Sequence, residues 1–84
     1  MITSLALMSI YRAPAVPLSE ICDRYLGLSY EEAMRKAARN ELPVPTFRLA
    51  ESRKAPVMVS LEELGAWIDQ TAEKARAQWQ RSQV

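Results

Sequence analysis

Six cations crowd into one stretch of this 84-residue chain: Arg35, Lys36, Arg39, Arg48, Arg53 and Lys54, opposed only by Glu41 and Glu51. The segments on either side are weakly acidic, and the net charge is +1. Overall charge therefore announces no nucleic-acid partner. Its segregation does suggest a local anion-binding face. Lys and Arg neutralise phosphates, and Arg also grips guanine through two hydrogen bonds. On a helix, Tyr30, Glu31, Arg35, Lys36 and Arg39 would lie away from a side built from Ala33 and Ala37. A solvated helix face with the same charges competes with this reading. Arg53 and Lys54 sit together in a polar segment, where they suit phosphate contact or simply keep a hairpin soluble. Arg48 can serve either role.

Other chemistry finds little material. Histidine is absent and Cys22 is the only cysteine. A zinc site, a Cys–His or Ser–His catalytic arrangement and an intramolecular disulfide are all excluded. The lone thiol fits a reducing, cytoplasmic compartment. Glu31/Glu32 and Glu62/Glu63 are adjacent carboxylates, but Glu32 and Glu63 each stand three residues after a serine, where they cap helices. No nucleophile, base and orienting group can be assembled, so neither an enzyme nor a cofactor is expected. Trp67, beside Ile68, reads as core. Trp79 reads as contact with a partner helix rather than as a platform for bases.

The elements that position these residues follow from breaks and caps. Residues 3–11 form a short helix or a strand, and Pro14 and Pro17 end it. Ser19 suits the N-cap of a helix over about 20–26, with Gly27 as its left-handed C-cap. Ser29-Tyr30-Glu31-Glu32 is a capping box opening a helix to Arg39 or Asn40. Pro43 and Pro45 stop it. Residues 44–49 and 56–60 read as two strands of a hairpin around a basic loop at 50–55. Ser60-Leu61-Glu62-Glu63 is a second capping box, opening a helix to about Gln80 with Leu61, Leu64, Ile68, Ala72, Ala75 and Trp79 on one stripe.

Two helices joined by Gly27-Leu28-Ser29, then a basic hairpin and a helix, make a small α+β winged helix-turn-helix. It fills one domain over 1–84, with 72–84 a helical extension. The 30–39 helix would enter the major groove of double-stranded DNA, and the 49–55 loop would touch its backbone. Ile68, Ala72, Ala75 and Trp79 would pair with a second copy in a homodimer. Neither a membrane nor a small-molecule ligand is expected. A module binding an acidic protein competes from another class, as does an excisionase-like architectural factor. Sequence-selective footprints separate the first alternative from DNA recognition.

Leu7-Met8, Tyr11, Val16-Pro17-Leu18, Cys22, Tyr25, Gly27, Arg35-Lys36, Leu42-Pro43, Arg48, Leu64 and Ile68-Asp69 fall in an order and spacing that resembles the pyocin activator (PrtN) family of bacterial and prophage regulators. The likeness covers roughly residues 5–72. More distantly, Leu42 to Pro45 and Val59 to Ile68 are similar to phage excisionases and MerR-like winged-helix domains. The resemblance implies a transcriptional activator that binds a box upstream of bacteriocin or prophage promoters. It also implies that Arg35 and Lys36 belong to the recognition helix.

Overall fold

The structure, a computed structural model, describes residues 2–83. Met1 and Val84, the ends of the expected domain, lie outside them. The first apolar run is a helix, α1 (Ile2–Tyr11). Arg12 turns into the left-handed region at φ 56°, and the chain then enters strand β1 (Ala15–Pro17). Helix α2 (Leu18–Leu26) follows without a gap and ends on Gly27 at φ 66°, as its C-cap position predicts. The Gly27 and Leu28 N–H groups both donate to the Cys22 carbonyl, which satisfies a helix end that would otherwise lack partners.

Helix α3 (Tyr30–Ala38) begins where the first capping box places it. The Ser29 hydroxyl accepts from the Glu32 N–H at 3.2 Å. The return bond of the box differs. Glu32 Oε1 accepts a hydrogen bond from the Ser29 hydroxyl at 3.2 Å, in place of one from the Ser29 N–H. Strand β2 (Met58–Ser60) then leads directly into the long helix α4 (Leu61–Ser82).

Two expected caps give way to the sheet. β1 and β2 pair antiparallel, with Val16 opposite Val59. Because each strand runs straight into a helix, the first helical N–H groups find carbonyls across the sheet. Leu18 N–H donates to Val57 O at 2.8 Å, and Leu61 N–H donates to Pro14 O at 2.9 Å. Neither Ser19 nor Ser60 makes a side-chain cap bond: α2 starts one residue before Ser19, and Ser60 holds the N-cap position of α4 with no such bond.

The hairpin is also altered. Residues 44–49 do not form a strand, and the main partner of β2 is β1. Only Phe47 bridges to β2, through two backbone bonds with Met58 of 3.1 and 2.7 Å. Pro43 and Pro45 have no N–H to give a ladder, which confines pairing to the one residue beyond them.

The core lies where α1, α2 and α4 close over this sheet. Leu7, Val16, Leu18, Ile21, Cys22, Ala33, Val44, Val59, Leu61 and Leu64 are buried there. Trp67 and Ile68 are half-buried against it, as are Met8 and Met34. α1 packs along the first half of α4. Ser4 is buried against Gly65 and donates to the Glu62 carbonyl at 3.2 Å, while the Thr3 hydroxyl donates to the Asp69 carboxylate. Beyond Ile68, α4 runs out from the core with Ala72, Ala75 and Trp79 exposed.

Candidate nucleic-acid interface

α3 is held by one small residue. Ala33 is fully buried in the core that also holds Ile21 and Cys22 of α2, and Met34 and Ala37 are half-buried against that core. The three-residue turn Gly27-Leu28-Ser29 fixes how α3 leaves α2. With that side down, Glu31, Arg35, Ala38 and Arg39 face outward, and Tyr30 stands exposed at the N-terminal end. Lys36 departs from expectation. It is half-buried on the flank, in a cleft of about 140 Å³ lined with Glu32, Arg35, Arg39 and Glu41. Two carboxylates beside three cations make this cleft mixed in charge. Arg35 is thus the outward cation of the pair, and Lys36 its lateral neighbour.

The chain turns back after α3 through Asn40, at φ 56°. The Asn40 N–H donates to Ala37 O at 3.1 Å, and the Glu41 N–H donates to Lys36 O at 2.9 Å. This turn brings the next segment alongside the helix. A groove of about 370 Å³ separates Met34, Ala37, Ala38 and Asn40 from Thr46, Phe47, Arg48 and Val57. Arg48 is therefore brought next to the α3 face. Arg53 and Lys54 are not in the groove. They are exposed in a turn closed by the Ala55 N–H on Ser52 O and the Lys54 N–H on Ser52 Oγ, both at 3.1 Å. Asn40 and Thr46, which are outside the set of site residues expected from the sequence, also line this groove. Asn at the end of a basic helix was a usable signal, since it tolerates the left-handed region better than most residues.

The Tyr11 hydroxyl is buried close to Arg24 and Tyr25 of α2. Burial pushes its pKa up, and the neighbouring Tyr25 hydroxyl adds to the rise, while Arg24 works against it. Among the described residues no cluster of three or more His, Cys, Asp or Glu side chains could hold a metal. No helix there is long and apolar enough to cross a membrane.

The family model described as Pyocin activator protein PrtN matches residues 3–75. The chain belongs to this family. The match covers α1, both strands, α2, α3 and all but the last turns of α4, so this PrtN-family chain carries the basic face inside the shared region. No curated protein and no solved structure matches it.

Proposed function

We propose that this PrtN-family protein is a sequence-specific DNA-binding transcriptional activator of bacteriocin or prophage genes, built as a winged helix-turn-helix and working without catalysis. One observation carries the reading. α3 follows a three-residue turn, buries Ala33 and turns Glu31, Arg35 and Arg39 outward, with Arg48 drawn to its side. A recognition helix needs that arrangement: a small inner residue for close packing and an outer row of groups able to read base edges. Tyr30 and Glu31 would lead the helix into the major groove, and Arg35 would read base edges. Lys36 and Arg39 would reach flanking phosphates. The 48–57 loop would act as the wing, with Arg53 and Lys54 on backbone phosphates. The protein would act in the cytoplasm as a homodimer on a repeated half-site. The exposed α1 face and the distal α4 stripe are surfaces able to receive the second copy.

Footprinting on DNA recovered with the protein from its source cell tests the reading. A protected box upstream of bacteriocin or prophage genes, with salt-sensitive affinity, is the expected result. Salt-sensitive binding to an acidic protein with no footprint on any recovered DNA would instead support a protein-binding module.

A further inference from the structure

The first turn of α3 carries two carboxylates, Glu31 and Glu32, on a helix whose last turn is basic. Their roles differ. Glu32 is spent on the cap: its N–H donates to the Ser29 hydroxyl, and its carboxylate accepts from the same group. The cap does not use Glu31. Glu31 is exposed on the outward row with Arg35, Ala38 and Arg39. A carboxylate suits the first turn of any helix, but this one stands on the side that would approach DNA. Helix N-termini ordinarily attract phosphate, and two carboxylates there repel it. Glu31 therefore lowers affinity wherever α3 meets only the DNA backbone. It becomes favourable only opposite a hydrogen-bond donor, and the donors of the major groove are cytosine N4 and adenine N6.

From this arrangement we infer that Glu31 reads a cytosine, its carboxylate accepting a hydrogen bond from N4. The inference rests on α3 being a recognition helix and adds the base that its N-terminal end selects. Adenine is the poorer partner, because its N7 acceptor lies beside N6 and repels a carboxylate. Guanine presents only acceptors in the major groove, and thymine an acceptor and a methyl group. Cytosine alone offers a donor with no acceptor on the same base. Arg35 follows one turn later on the same row, about 6 Å along the helix axis at a rise of about 1.5 Å per residue. Base pairs stack about 3.4 Å apart, so Arg35 comes over a base roughly one or two pairs from that cytosine. Its paired donors suit guanine O6 and N7. The box read by α3 thus holds a cytosine and a guanine within a step or two of each other. Glu31 discriminates twice: it gains a bond at the cytosine and repels phosphates and acceptor-rich base edges elsewhere.

Selection from a pool of DNA duplexes with a randomised central segment tests this, using the full chain and two variants. Glu31 is exposed and outside the cap, so Glu31→Ala and Glu31→Gln should both keep the helix content of the intact chain by circular dichroism. The intact chain should enrich a box with one cytosine preferred about tenfold or more over every other base. Glu31→Ala should lose the preference at that position alone, keep the neighbouring guanine, and bind unrelated duplex more tightly. Glu31→Gln should shift the preference to adenine, whose N6 and N7 match a carboxamide. A Glu31→Ala chain that keeps the intact chain's preference at every position overturns the cytosine contact and leaves DNA recognition standing. So does one that loses affinity equally for all duplexes. An intact chain that enriches no sequence overturns the reading of α3 as a recognition helix, and this contact with it.

Discussion

Gly65 is the place where the packing of α1 on α4 can be tested most directly. It lies inside α4, where glycine is normally unfavourable by about 1 kcal/mol relative to alanine. Its α-carbon faces Ser4. A Cβ built there would run into the Ser4 hydroxyl and would stand 2.8 and 2.9 Å from the Ser4 amide nitrogen and Cα. A rotamer change could clear the hydroxyl, but the other two atoms are backbone, so the whole of α1 would have to move. Overpacking of a well-filled contact typically costs about 1–3 kcal/mol, and a clash with backbone belongs at the upper end. After subtracting about 1 kcal/mol for the better helix former, Gly65→Ala should destabilise the fold by about 2 kcal/mol. For a domain of this size that lowers Tm by roughly 8–16 °C. Thermal unfolding followed by circular dichroism reads the change. Ser4→Ala in the same chain removes only the hydroxyl part of the clash, so rescue should be partial. A Gly65→Ala chain with an unchanged or higher Tm would refute the apposition of α1 and α4, and with it the assignment of the other face of α1 as the exposed one.

Three further outcomes are expected. Arg35→Ala should weaken binding to the cognate site by about 1–3 kcal/mol in a titration by fluorescence anisotropy, with less effect on unrelated DNA; equal losses on both would reassign Arg35 to phosphate. Replacing Arg53 and Lys54 with Ala should reduce the slope of log affinity against log salt by roughly two, at about one per phosphate contact. An unaltered slope means that the wing points away from DNA. Tyr11 has a folded pKa above its ordinary value of 10.0, so its contribution is intact below pH 10.0 and is lost as pH rises through the folded pKa. Tyr11→Phe should therefore flatten the fall in urea midpoint above that pH.

Arg35, Lys36 and Arg39 could be placed on a helix, and Gly27 at the end of another, because those assignments depend on residues a few positions apart. A left-handed C-cap needs a glycine, and the Ser29–Glu32 pair closes its own first turn. The errors have a different character. Ser19 and Ser60 have the right side chains for caps but lost the role to carbonyls contributed from distant sequence, Val57 to α2 and Pro14 to α4. The same long-range pairing took β2 away from residues 44–49 and gave it to Ala15–Pro17, a segment whose prolines read only as a break. No local spacing reports on such a choice, since it is decided by which strand can deliver both α2 and α4 to one core. The basic face was legible as a group, but its internal geometry was not. Lys36 and Arg35 are adjacent in sequence, and the depth to which Ala33 sinks into α2 is what turns one outward and leaves the other at the flank. The exposure of α1 was hidden for the opposite reason: a short apolar run looks like core until its partner is known, and α4 proves wide enough to cover only the side with Ser4 and Leu7. The apolar residues Ile2, Leu5 and Ile10 are left outside because the packing of α1 on α4 uses the other side of the helix.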